Sequence, residues 1–208
     1  MTVQTQITKE IEALCETAHW CAAQRWVPAT SGNFSVRDAA AERIFISPSG
    51  LDKGAMTPEN LLEMDAAGKI VRGEGKPSAE TELQRVIYRV HPEAGAILHV
   101  HTVWNTLLSE RFVKQGELHI EGYELLKALD GVGTHVYTEH VPVLENTQDY
   151  EELAARLNEA LRLCPRSHGV LLSGHGLYTW GKTVADARRH LEALEFLFEV
   201  EGRKIFGN

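Results

Sequence analysis

Val170-Leu171-Leu172-Ser173-Gly174-His175-Gly176-Leu177-Tyr178-Thr179-Trp180 decides how this chain folds. Residues 170–173 and 177–180 read as short strands on either side of a glycine-bearing turn, the pattern of a hairpin. The same pattern recurs twice. Residues 34–37 and 43–47 flank a turn at Asp38-Ala39-Ala40, and residues 62–65 and 69–72 flank Ala66-Ala67-Gly68. Residues 96–101 read as a further strand, and another falls around Val136. Helical patterns interrupt these strands in irregular order. Ile11, Leu14, Ala18 and Ala22 recur at helical spacing within residues 7–26. Thr57-Pro58 opens a short helix, with proline at the first helical position. Residues 78–90 form a helix with Glu80 and Glu82 in its first turn, and residues 103–111 and 122–129 form shorter ones. Residues 149–163 form another, capped by Asn146 or Thr147. Thr183, with Asp186 three residues on, caps a long helix toward Ile205. Hairpin-linked strands with irregular helices predict an α/β fold whose sheet is mixed or antiparallel and carries helices on its faces.

The 208 residues contain no repeat, low-complexity run or Pro/Gly-rich linker, so residues 1–208 are read as a single domain. Hydrophobic residues make up 43% and charged residues 24%, which excludes a disordered chain or a disulfide-dense scaffold. Lys+Arg 21 against Asp+Glu 29 gives a net charge of −8. Without basic clusters, that balance argues against nucleic-acid binding. No apolar run approaches the ~20 residues of a membrane span. The stretch from Met1 to Gln6 has neither a basic nor an apolar leader region, so no signal peptide is expected. Cys15, Cys21 and Cys164 are odd in number and form no Cys-x-x-Cys. They read as free thiols in a reducing compartment, the cytoplasm. The absence of Gly-x-Gly-x-x-Gly and Walker sequences disfavours a nucleotide fold.

The sharpest chemical signal is His99-Val100-His101. Alternate side chains of a strand share a face, so both imidazoles project together. Such a pair can also be two histidines with ordinary structural roles. His175, between two glycines at a strand end, adds a third imidazole on a backbone free to aim it. Three imidazoles suit zinc or another borderline divalent metal, with a position left open for water or substrate. The other histidines, His19, His91, His119, His135, His140, His168 and His190, share no such spacing and read as solvated or structural.

Three polar turns form a second signal: Thr30-Ser31-Gly32-Asn33, Ser47-Pro48-Ser49-Gly50 and Lys76-Pro77-Ser78. Each alone is more often just a turn. Together they offer hydroxyls and backbone N–H groups that can nest a phosphate, with Ser78 expected at a helix start where the dipole favours an anion. Glu80 and Glu124 each open a predicted helix, and either could serve as a general acid/base if it lay beside the metal. Trp104, Phe112 and Tyr178 read as core aromatics before pocket walls.

These pieces resemble the class II aldolase family, the zinc-dependent aldolase/epimerase group. The resemblance is carried in order by Ser31-Gly32-Asn33-Phe34-Ser35, Ser47-Pro48-Ser49-Gly50, Lys76-Pro77-Ser78-Ala79-Glu80, His99-Val100-His101 and Gly174-His175-Gly176. It implies a three-layer α/β/α domain with a largely antiparallel sheet, usually a homotetramer with active sites at subunit interfaces. It implies one zinc per subunit on His99, His101 and His175, and phosphate contacts at Thr30, Asn33, Ser49, Gly50 and Ser78. Ala79 stands where aldolases often have a second serine. Glu80 matches the aldolases' zinc-binding glutamate and base, and Glu124 matches the acid/base of the dehydratase members. Residues 121–127, 142–147 and 175–181 look most like those dehydratases. The expected activity is therefore a zinc-dependent lyase removing water from a phosphorylated ketopentose. A sugar-phosphate aldolase or 4-epimerase is the alternative. A noncatalytic protein with structural zinc fits less well, because such sites are usually closed by four ligands and rich in cysteine.

Overall fold

Ala96, Leu98 and Val100 enter one hydrophobic core while Ile97 enters another, so a single strand divides the molecule into two layers of packing. The computed structural model describes residues 3–207; Met1 and Thr2 of the stretch read for a leader lie outside them. The chain runs α1 (Val3–Ala23), β1 (Asn33–Asp38), β2 (Arg43–Ile46), β3 (Leu62–Asp65), β4 (Ile70–Arg72), α2 (Thr81–Val90) and β5 (Ala96–Val100). It continues through α3 (Val103–Phe112), β6 (Glu117–Glu121), β7 (Thr138–Leu144), α4 (Tyr150–Leu163), β8 (Gly169–Leu172), β9 (Gly176–Gly181) and α5 (Val184–Phe206). The sheet order is β4-β3-β2-β1-β5-β9-β8-β7-β6. Its described pairings are antiparallel apart from β7 with β8, which is parallel.

Helices cover both faces. Leu14, Ala18 and Cys21 of α1, Leu108 of α3, and Leu191, Leu194, Leu197 and Phe198 of α5 pack on the face of Leu98 and Val100. Leu83, Val86 and Ile87 of α2 and Leu153, Leu157 and Leu161 of α4 pack on the face of Ile97, with Tyr178 and Trp180 of β9. Each buried Leu or Ile contributes about 1.5–3 kcal/mol, so both layers hold the sheet. This is the expected α/β/α arrangement with a largely antiparallel sheet. Cys15 and Cys21 are buried and free, and burial pushes their thiols up to about 11 and about 12; Cys164 is free and half-buried. No helix among the described residues is long and apolar enough to cross a membrane.

Four local expectations need correction. The helix expected from Ser78 starts at Thr81, because Ser78 to Thr81 close a turn first, with the Thr81 N–H donating to the Ser78 carbonyl at 3.0 Å. The strand expected around Val136 lies at β7, and Val136 sits 74% exposed in the preceding turn. Pro142 within β7 masks that strand, since proline usually marks an edge or a break. Asp149, rather than Asn146 or Thr147, caps α4, accepting the Glu152 N–H at 3.0 Å. The helix read over residues 122–129 is a single 3₁₀ segment, Glu124–Ala128.

Candidate metal centre

The period-two strand geometry carries His99 and His101 to one face, although His101 lies one residue past the end of β5. Their Nε2 atoms are 2.9 Å apart. His175 arrives from the β8–β9 hairpin, where Gly174 takes φ +62° and donates its N–H to Ser109 Oγ at 3.0 Å. That turn brings His175 Nε2 to 3.3 Å from His99 Nε2. The Glu80 carboxylate meets the group from just before α2, with Oε1 at 3.0 Å from His175 Nε2 and Oε2 at 3.6 Å from His99 Nε2.

Close backbone approach makes this convergence possible. A Cβ on Gly176 would lie 2.3 Å from the Val100 carbonyl oxygen and 3.0 Å from His99 Cε1. Gly176→Ala is therefore expected to push β9 off β5, destabilise the fold by about 1–3 kcal/mol and weaken metal binding. Thermal melts and metal content per chain check this; an unshifted midpoint with full metal loading would show that the contact is not limiting.

The donor set fits a metal. His99 Nδ1 lies 2.9 Å from the Leu177 carbonyl oxygen, which can only accept, so Nδ1 carries the proton and Nε2 keeps its lone pair. Burial, then the neighbouring His101, holds the His99 imidazole well below its usual range; burial and His175 bring His101 to about 4. Neutral imidazoles are the form a metal binds. Tetrahedral bonds of 2.0–2.1 Å would separate ligand atoms by about 3.3 Å, close to the spacings here. Burial would raise the Glu80 carboxyl, yet the hydrogen bonds with His175 and the Tyr178 hydroxyl bring it to about 2.

Around this group, the three polar turns expected to hold phosphate do come together. Lys53 Nζ donates to the Thr30 and Leu51 carbonyls, each at 2.9 Å. The Ser49 N–H donates to the Lys76 carbonyl at 2.9 Å, and the Ser78 hydroxyl accepts the Glu80 N–H at 3.2 Å. Asn33 turns its amide to Glu80 Oε2 at 2.8 Å, so it links the first turn to the metal cluster. Positive φ at Ala29, Thr30, Gly32 and Gly50 shapes the first two turns.

Glu124 does not join His99, His101 and His175. Its carboxylate is largely exposed and pairs with Lys127 and, at 3.3 Å, with His135. Lys53 at the site escaped the sequence reading, and Tyr178, expected as a core aromatic, lies in the core and also reaches the site. Lys53 is 1% exposed, an unusual place for lysine, and burial lowers it to about 8 against the opposing pull of Asp52 and Glu80. Tyr178 stacks on His99 with ring centroids 3.8 Å apart and donates its hydroxyl proton to Glu80 Oε2 at 3.1 Å. The hairpin next to His175 was the available signal for Tyr178; nothing in the sequence marks Lys53. Trp104 and Phe112 pack against the core as expected. Of the other histidines, His19, His91, His135, His168 and His190 bond to or pair with neighbouring groups, while His119 and His140 meet each other.

Comparison with known proteins gives the family and the fold. Residues 12–201 match the Class II Aldolase and Adducin N-terminal domain. The chain is 48% identical over 203 residues, 98% of its length and 97% of the relative's, to methylthioribulose-1-phosphate dehydratase of Enterobacter sp. (strain 638). It is 47% identical over 199 residues, 96% of each chain, to the protein of that name from Methylococcus capsulatus. Among solved structures, L-fuculose-1-phosphate aldolase from Thermus thermophilus superposes with a TM-score of 0.76 at 28% identity, covering 96% of both chains. With a family match over nearly its whole length, and with the family's fold around its histidines, the chain belongs to the class II aldolase family.

Proposed function

We propose that this chain is a zinc-dependent hydro-lyase that dehydrates 5-methylthioribulose-1-phosphate to 2,3-diketo-5-methylthiopentyl-1-phosphate, a step of methionine salvage. The observation that carries the reading is the convergence of three imidazoles and one carboxylate beside three polar turns, on a chain nearly half identical to proteins named for that dehydration. His99, His101 and His175 are the proposed zinc ligands. Bound there, zinc would supply Lewis-acid polarisation of a substrate carbonyl.

The remaining work falls to side chains. Thr30, Asn33, Ser49, Gly50 and Ser78 hold the phosphate, and the buried Lys53 charge beside the Thr30 carbonyl favours the anion. Asn33 and Tyr178 both occupy Glu80 Oε2, and His175 faces Oε1, which suits Glu80 to closing and orienting the cluster. Proton transfer at substrate C3 or C4 is assigned to Glu124, brought from a neighbouring copy in the homotetramer that the family resemblance implies. A positioned acid/base contributes about 10²–10⁴-fold, so Glu124→Gln should keep its zinc and lose about 10²-fold or more in turnover. Near-parental turnover would return that role to Glu80.

One observation favours a second reading: Glu80, not Glu124, sits with His99 and His175. A sugar-phosphate aldolase working through Glu80 would cleave a carbon–carbon bond. NMR of zinc-loaded protein with methylthioribulose-1-phosphate separates the two. A chelator-sensitive diketone phosphate supports the dehydratase; an unchanged substrate, together with cleavage of a ketose phosphate to dihydroxyacetone phosphate and an aldehyde, supports the aldolase.

A further inference from the structure

At the far edge of the sheet, β6 and β7 pair in a register that sets His119 directly opposite His140. Glu117 lies two residues before His119, so it shares the same face. The opposite face of this ribbon is anchored: Leu118, Ile120, Val141 and Val143 are buried in the larger core. On the outer face, His119 Nε2 lies 2.8 Å from Glu117 Oε1, and His140 Nδ1 lies 3.2 Å from Glu117 Oε2. The two imidazole rings stand edge to face with centroids 4.4 Å apart. One donor atom from each of the three residues falls within 4.8 Å of the other two.

We propose that Glu117, His119 and His140 form a second metal site that takes a borderline divalent ion such as Zn²⁺, Ni²⁺ or Co²⁺. Two imidazole nitrogens and one carboxylate oxygen suit these ions; Ca²⁺ and Mg²⁺ prefer all-oxygen shells. The three side chains are about half exposed, which leaves further positions of the ion to water. The donors stand on a strand pair whose buried side is packed, so the site is largely assembled before any ion arrives. A bound ion ties the edge strand β6 to β7 through side chains in addition to the backbone ladder. The site shares no residue with the cluster at His99, His101 and His175, so each can be tested without the other.

The test is equilibrium dialysis of the full chain against excess Zn²⁺, with zinc counted per chain by atomic absorption, for the parent and for His119→Gln/His140→Gln. These are exposed strand positions where glutamine keeps size and polarity. The parent should hold one more zinc ion per chain than the double variant, and each single variant should weaken that increment at least about tenfold. Excess Zn²⁺ should raise the thermal midpoint of the parent more than that of the double variant. Equal zinc content and equal midpoint shifts in parent and double variant would overturn the proposal and leave Glu117 as an ordinary partner of two surface histidines. A failure of the first cluster to hold zinc would lower both totals equally and leave the increment readable.

Discussion

The His101→Ala protein is expected to fold, to hold no stoichiometric metal and to turn over at least about 10³-fold more slowly than the parent. Among the described residues His101 supplies one of three converging imidazoles, and its loss would leave two nitrogens to hold the ion. Losing a Lewis acid removes several kcal/mol from transition-state stabilisation, and each 1.36 kcal/mol is a factor of ten. His101 is the informative choice among the ligands. His99 is fully buried against Tyr178, so its truncation would add the cost of a cavity. His101 is half-buried, and its backbone N–H bond to the Trp26 carbonyl, 2.8 Å, survives the change. Metal per chain, circular dichroism and product NMR read the three parts of the result. A variant with full metal and parental turnover would remove His101 from the site.

A second large effect is expected far from the metal. Glu139 of β7 is fully buried and accepts both the His168 backbone N–H at 2.7 Å and its ring Nδ1–H at 3.0 Å. His168 Nε2 in turn donates to the Asp130 carbonyl at 2.9 Å, so the pair pins the segment before β8 to two other parts of the chain. Breaking a buried pair by removing one charge costs about 3 kcal/mol or more. Glu139→Gln should therefore lower the thermal midpoint by roughly 6–12 °C for a protein of this size. The pH dependence follows from His168. Burial would lower its ring, but the bond and charge of Glu139 and the Asp130 carbonyl raise it above the usual histidine value. A raised folded value means that the contribution is fully present below about pH 6.5 and is lost as pH rises through the folded value. His190, with its ring 5.0 Å away, is held neutral down to about 4 by burial and does not titrate in that window. Denaturant unfolding across the window should show this slope in the parent and not in Glu139→Gln. A variant as stable as the parent, with the same slope, would show that the pair contributes nothing net.

The sequence was most legible where local chemistry and local geometry coincide. A strand period of two places His99 and His101 on one face without any tertiary knowledge, and the Gly-His-Gly turn announces a hairpin whose backbone can aim a side chain. Glu80 and Glu124 could not be separated that way. Each follows a turn at the start of a helical segment, and only the packing of α2 against the sheet carries Glu80 to the histidines while Glu124 faces outward. Lys53 was invisible because lysine is ordinarily solvated, and its burial follows from carbonyls that two turns present to it. The β6–β7 ribbon escaped because Pro142 interrupts the pattern and because His119 and His140, on its outer face, read singly as solvated or structural side chains.

Residues His99 and His175 are separated by 76 positions, yet they meet because β5 and β9 are neighbours at the centre of the sheet. Closing a flexible loop of that length costs about 4 kcal/mol of chain entropy, a sum that no local element can repay in advance. The outer hairpins can zip early from nearby residues, but β5 finds β9 only across the whole intervening segment, whose strands β6, β7 and β8 lie on the far side of β9. Assembly of the three imidazoles thus belongs to the slowest, least local part of folding. A nascent or misassembled chain offers a metal ion only His99 and His101, so tight capture of the ion waits on correct topology.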